Sequence, residues 1–128
     1  MKIGILGGGQ LARMLALAGY PLGLDFAIID PSNDAGAIGL ANHLHGAYDD
    51  ESLLHELAQQ TDIVTYEFEN VPASVAQLLA QHTQIAPCAR ALAIAQDRLI
   101  EKKFFHDLNI PTTNFAAVNS LDDLEQAI

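Results

Sequence analysis

The chain has no tryptophan, one cysteine and only six lysines and arginines in 128 residues. Cys88 has no second cysteine to pair with, which excludes an intramolecular disulfide and a CxxC metal site and suits a reducing compartment. Sixteen acidic residues outnumber the bases and leave a formal net charge of −10 and a pI near 4.5. Nucleic acids and anionic membranes are bound through basic surfaces, so neither is an expected partner. There is no run of about 18 apolar residues, and hence no expected membrane span. Lys2 and the apolar residues after it start like a signal peptide, but three glycines and Arg13 break the run. Among the histidines only His43-x-His45 has a ligand-like spacing, and no third donor stands near it, so no metal site is expected. Cys88 lacks a histidine partner and reads as a turn residue, and no serine lies in a GxSxG context.

Half of the residues are hydrophobic, enough to build the core of one ordinary domain. The first fifteen residues are the most informative. Lys2–Leu6 reads as a short buried strand, Gly7-Gly8-Gly9 as a turn, and Leu11, Met14, Leu15 and Ala18 recur at helical spacing. The amide groups of a first helical turn, at the positive end of the helix dipole, form a ready site for an anion such as phosphate. Gly7, Gly9 and Ala12 also fit the G-x-G-x-x-G/A spacing, in which small residues let backbone approach a phosphate and let helix pack on strand. A phosphorylated small molecule is the expected ligand.

The rest of the chain alternates strand and helix. The expected elements are helix 10–22, strand 25–30, a short helix at 35–40, strand 43–47, helix 51–60 and strand 62–68. Then come helix 73–82 with Asn70 as its N-cap, strand 84–86, helices 89–96 and 97–108, a strand at 115–118, and helix 121–128 capped by Ser120 and Asp123. Repeated strand–helix units imply an α/β fold: an open parallel sheet with helices on both faces. Ligands of such sheets bind beyond the carboxyl ends of the strands, at the point where strand order reverses. That rule gathers Gly7–Leu11, Asp30 and Glu67–Asn70 around one crevice. Leu121, Leu124 and Ile128 make an apolar stripe with little in this chain to cover it, so the expectation is a piece of something longer.

Three groups are candidates for chemistry. Tyr66-Glu67-Phe68-Glu69-Asn70 falls at the end of the fourth strand, where carboxylates suit hydroxyls or an amine and repel phosphate. The alternative is a pair of solvated acids beyond the strand end. Arg90, Arg98, Lys102 and Lys103 form a local basic cluster in an acidic chain, suited to a polyphosphate such as ATP. A helix surface in which Asp97, Arg98, Glu101 and Lys102 pair at i,i+4 explains the cluster equally well. Asp30 stands where a dinucleotide-binding domain places its ribose carboxylate, and is also a natural turn-former before Pro31.

The segments GILGGGQLARMLALAGYPLG, YDD, DIVTYEFENVP, IAQDRLIEKKFFHDLNIPT and FAAVNSLDDLEQAI, in this order, resemble the carboxyaminoimidazole ribonucleotide synthetases. These are ATP-grasp ligases of purine biosynthesis. The resemblance covers nearly the whole chain, and GGGQL, YEFENVP and AQDR together are far more specific than any glycine motif. It implies a Rossmann-like pre-ATP-grasp domain over residues 1–96 and the start of an ATP-grasp domain over 97–128. It also implies ATP-dependent carboxylation of aminoimidazole ribonucleotide by bicarbonate, through carboxyphosphate, in the cytoplasm. Carried over by motif, Gly7, Gly8, Gly9, Gln10, Leu11 and Glu67 are ribonucleotide-site residues, and Arg98 is an ATP-phosphate contact. ATP and Mg2+ are the implied cofactors of the full-length enzyme, and a homodimer is left open. Ala12 stands where the family more often has glycine. The later lysines, grasping loop and acidic magnesium ligands of the family are not in this chain, so no catalytic residue is assigned and the fragment alone is expected to be inactive.

Two other classes fit parts of the pattern: a NAD-binding domain of a dehydrogenase, through the glycines and Asp30, and a nucleotide-sensing module. The first leaves YEFEN and the Arg98 region unexplained, and the second is permitted by the length of the chain. A related ATP-grasp transformylase shares the glycine loop, but GGGQL and YEFENVP favour the carboxylating enzyme.

Overall fold

The computed structural model describes residues 1–128 and divides into two compact units, Met1–Ala93 and Ile94–Ile128. The first unit is a doubly wound α/β domain. Its strands are β1 (Lys2–Leu6), β2 (Asp25–Asp30), β3 (Asn42–His45), β4 (Ile63–Tyr66) and β5 (Gln84–Ile85), all parallel, in the order β3-β2-β1-β4-β5. The chain builds outward from β1 through β2 to β3, then returns to the other side of β1 with β4. The reversal therefore falls between β1 and β4, and their carboxyl ends define the crevice.

Alternation along the strands supplies both faces of the sheet. Ile5 and Ile28 turn toward helix α1 (Gln10–Gly19), where they pack with Ala12, Ala16 and Phe26. Leu6 and Ile29 turn the other way, into a core shared with Leu54 and Leu57 of α2 (Glu51–Gln60) and Val75, Ala76 and Leu79 of α3 (Ala73–Leu79). The small residues Ala12, Ala16 and Gly19 carry the buried stripe of α1 and bring the helix close to the sheet. A Cβ at Gly19 would lie 2.4 Å from Phe26 Cζ. The α1 helix passes into a 3-10 turn at Tyr20–Leu22, and Gly23 closes it at φ 74°. Asp50 caps α2 by accepting the Ser52 and Leu53 amides. The Leu53 amide and the Ser52 hydroxyl hold its carboxyl below the ordinary carboxylate value. Helix α4 (Ala89–Ala95) follows β5 and buries Leu92.

The second unit contains α5 (Arg98–Asp107) and α6 (Leu121–Ala127). Asp97 caps α5 through the Ile100 amide at 2.8 Å. Ser120 caps α6 as expected, its Oγ accepting the Asp123 amide, and the Asp123 carboxylate reaches back to the Asn119 amide, one residue before the cap.

Several expected elements differ. Residues 35–40 form turns rather than a helix, because Gly39 adopts φ 84° and the Ala37 amide is tied to the Gly8 carbonyl at 2.7 Å. Strand β4 stops at Tyr66. The Glu67 amide makes a last bond to the Leu6 carbonyl, after which Gly7 turns away at φ 102° and no ladder remains. Asn70 does not cap α3; Pro72 occupies that position in extended backbone. Residues 115–118 are not a strand: the second unit holds no other strand for them to pair with.

Candidate functional site

Four strand ends meet at the glycine turn. From β1 come Gly7, Gly8 and Gly9; from β2, Asp30; from beyond β3, Tyr48; and from beyond β4, Glu67 and Phe68. The Glu67 carboxylate accepts the Gly9 amide at 2.7 Å through Oε2 and the Leu11 amide at 3.0 Å through Oε1. Asp30, only 7 % exposed, accepts the Gly8 amide at 2.7 Å and the Tyr48 hydroxyl at 3.1 Å through Oδ2, and the Ser32 amide at 2.8 Å through Oδ1.

The sequence leads to an open anion site at the head of α1, and here the structure differs. Amides of the turn and of the first helical residues are already bonded to two of the protein's own carboxylates. Those negative groups at the positive end of the helix take the place of an incoming phosphate. What the crevice presents instead is a fixed carboxylate. Each carboxylate oxygen accepts more than one hydrogen bond, so half-buried Glu67 can receive ligand hydroxyl or amine protons while holding the loop.

The glycines serve close approach more than phosphate contact. A Cβ on Gly9 would stand 2.6 Å from Glu67 Oε1, and one on Gly7 would stand 2.9 Å from both Glu67 Oε2 and Phe68 Cε1. Gly8 is enclosed by Ile28, Ala35 and Asp30. On the outer side, the loop at 35–37 folds over the turn, and Arg13 donates to the Gly36 carbonyl at 3.1 Å. Gln10 and Leu11 are exposed at the rim. Glu69 is also exposed, and the end of β4 at Tyr66 removes the shared strand face expected for it and Glu67.

Asp30 is turned inward to the loop, which answers the alternatives left open for it. With Gly8, Tyr48 and Ser32 as its partners, it is not a rim carboxylate awaiting ribose hydroxyls, the feature on which a dinucleotide reading depends. In the sequence Tyr48 is marked only as the first residue of the YDD segment, with no site role attached; the fold brings it to Asp30. Its pKa is pushed up to about 12, first by burial, then by the bond to Asp30 and by the charges of Asp30 and Glu67, so the hydroxyl remains a donor. His43 and His45 place Nε2 3.0 Å from the carbonyls of Asp30 and Pro31. No cluster of three or more histidine, cysteine or acidic side chains is arranged to hold a metal ion. In the second unit Arg98 is exposed and pairs with Glu101 one turn on, at i,i+3 rather than the expected i,i+4 spacing, while Lys102 reaches Thr113 at 3.1 Å.

A parallel sheet reversing between β1 and β4, with a glycine turn clasped by an acid from the neighbouring strand end, defines a Rossmann-like domain of the ligand-binding α/β class. More narrowly, a model of the ribonucleotide synthetase preATP-grasp domain matches residues 1–96, and the chain belongs to that family. It is 52% identical over 127 residues to an N5-carboxyaminoimidazole ribonucleotide synthase of Pseudomonas aeruginosa, covering 99% of this chain and 35% of that protein. Among solved structures it resembles N5-carboxyaminoimidazole ribonucleotide synthetase of Thermus thermophilus, with 51% identity, a TM-score of 0.91, and coverage of 98% of this chain and 35% of that one. It also resembles N5-carboxyaminoimidazole synthase of Aspergillus clavatus in complex with ADP and 5-aminoimidazole ribonucleotide, with 26% identity, a TM-score of 0.86, and coverage of 98% and 34%. The chain thus spans about a third of the length of the relatives it matches.

Proposed function

We propose that this chain supplies the ribonucleotide-binding third of an ATP-dependent ligase that carboxylates aminoimidazole ribonucleotide with bicarbonate in purine biosynthesis, in the cytoplasm. The family match over residues 1–96 carries the reading, and the Glu67 clasp gives it chemistry. Gly7, Gly8 and Gly9 bring the loop against Glu67. Gln10 and Leu11 form the rim, and the Glu67 carboxylate orients ribose hydroxyls or the exocyclic amine. The phosphate of the ribonucleotide is held away from the Gly9 and Leu11 amides, because Glu67 already occupies them. The domain boundary belongs near residue 96, with residues 97–128 opening the ATP-grasp region.

When bound to the full-length protein, ATP would supply the phosphoryl group for activating bicarbonate, and magnesium would be held by residues outside this chain. From this chain only Arg98 is assigned to ATP, as a guanidinium facing a phosphate. Its pairing with Glu101 is solvent-exposed and therefore weak enough to be exchanged for that contact. The 128 residues alone are expected not to turn over, and a homodimer of the full-length protein is compatible with this assignment.

Titration of the full-length protein, observed by amide-shift NMR, tests the reading. Aminoimidazole ribonucleotide is expected to shift Gly7–Leu11 and Glu67, and NADH to leave them in place; the reverse result would favour a dinucleotide domain. Arg98→Ala is expected to raise the KM for ATP by about tenfold, the equivalent of one charge-assisted contact, with the KM for the ribonucleotide little changed. An unaltered ATP dependence would remove Arg98 from the site.

A further inference from the structure

In the Tyr48-Asp49-Asp50 segment, Asp50 caps α2, while Tyr48 links two arms of the site. Its hydroxyl donates to Asp30 Oδ2, the same oxygen that receives the Gly8 amide. Its ring stands edge-on to Phe68 at a centroid distance of 5.6 Å. Phe68 directly follows Glu67, whose carboxylate holds Gly9 and Leu11. The contacts therefore close a circuit: Gly8 to Asp30, Asp30 to Tyr48, Tyr48 to Phe68, and Glu67 back to Gly9 and Leu11.

We infer that Tyr48 is a positioning residue for the ribonucleotide site, setting the separation of the Asp30 and Glu67 clasps and through them the shape of the glycine loop. Each clasp arises from a different strand end, and the backbone between them includes Gly7 at φ 102°, a conformation that places little restraint on glycine. Tyr48 is the side chain that touches both arms. A tyrosine hydroxyl is protonated throughout the neutral range, and here it donates to Asp30 Oδ2 at 3.1 Å. Asp30 also has a backbone reason to stay in place. Its own carbonyl accepts the Gly46 amide at 3.3 Å, which ties β2 to the loop that carries Tyr48.

This inference rests on the ligase reading for its substrate, so the test separates the two. In the full-length protein, Tyr48→Phe keeps the ring against Phe68 and deletes one hydroxyl. The KM for aminoimidazole ribonucleotide is expected to rise about tenfold, with the KM for ATP within about twofold of the parent. Hydrogen exchange in a peptide covering residues 7–12 is expected to quicken by about tenfold. Asp30→Asn should act on the same measurements. The double variant should show less than the product of the two single effects, because both changes break one linkage. Multiplying effects, equal rises in both KM values, or unchanged exchange at residues 7–12 would overturn the positioning role. A parent protein without ribonucleotide-dependent ATP turnover would overturn the ligase reading and the substrate part of the inference with it. Unchanged exchange in a turning-over protein would overturn the inference alone.

Discussion

Replacing Glu67 by alanine is expected to raise the KM for aminoimidazole ribonucleotide by about 100-fold in the full-length protein, while the KM for ATP changes by less than about threefold. The carboxylate makes two charge-assisted bonds, to Gly9 and Leu11 at 2.7 and 3.0 Å. Such bonds contribute roughly 1.5–3 kcal/mol each, and about 1.4 kcal/mol is a factor of ten. Alanine removes both bonds and also the acceptor offered to the ligand. Partial exposure of Glu67 lets water replace some of what is lost, which keeps the estimate near two decades rather than four. Glu67→Gln separates charge from shape. Its amide oxygen can still accept one loop N–H, so an intermediate rise is expected. Steady-state kinetics with each substrate varied in turn reads the difference, and equal effects on the ribonucleotide and ATP would count against the assigned role.

Gly7→Ala is expected to lower the melting temperature by about 10 °C and to abolish saturable ribonucleotide binding. Two effects add. At φ 102° a side chain is strained whatever space surrounds it, at a cost of about 1–3 kcal/mol. The new methyl would also stand 2.9 Å from Glu67 Oε2 and from Phe68 Cε1, and 3.0 Å from Glu67 Cβ. Relieving that overlap costs a further 1–3 kcal/mol or so. The entropic gain from stiffening the unfolded chain, about 0.4–1 kcal/mol, is too small to offset the sum. For a domain the length of this chain each kcal/mol corresponds to roughly 3–5 °C. The movement falls on Glu67, so binding is lost with stability. A thermal melt and an isothermal titration on the same variant read both. A melt unchanged within about 2 °C would show that the turn can relax without disturbing the clasp.

Much of the architecture was legible because it depends on local pattern. Lys2–Leu6 and Asp25–Asp30 are apolar runs bounded by turn-formers, and both strands have those bounds. Glu51–Gln60 begins after an aspartate and keeps helical spacing, and Asp50 caps it. Two of the departures depend in part on distant residues. Residues 35–40 are held as turns by Gly39 at φ 84° and by the bond to Gly8, and no strand exists to pair with residues 115–118. The end of β4 likewise depends on Gly7, sixty residues away in sequence and adjacent through the β1 ladder.

The candidate site divides in the same way. The glycines, Glu67 and the strand-end rule that joins them were readable from residue types and order, because a parallel sheet sends its strand ends to one side. Their relation was not. An acid near a glycine turn reads as a partner for a ligand, whereas the fold makes it first the partner of the turn itself. Asp30, readable either as a ribose contact or as a turn-former before Pro31, is the second clasp of the loop, and Tyr48 of the YDD segment shows its bond to Asp30 only in the fold.

By itself, then, the sequence determined the α/β class, the chief elements and the residues that converge on the crevice, since hydrophobic period, turn chemistry and capping act over a few neighbouring positions. Only the tertiary structure decided which hydrogen-bond donors remain available to a ligand. That depends on distances of about 3 Å between groups some twenty to sixty residues apart, which no local pattern encodes.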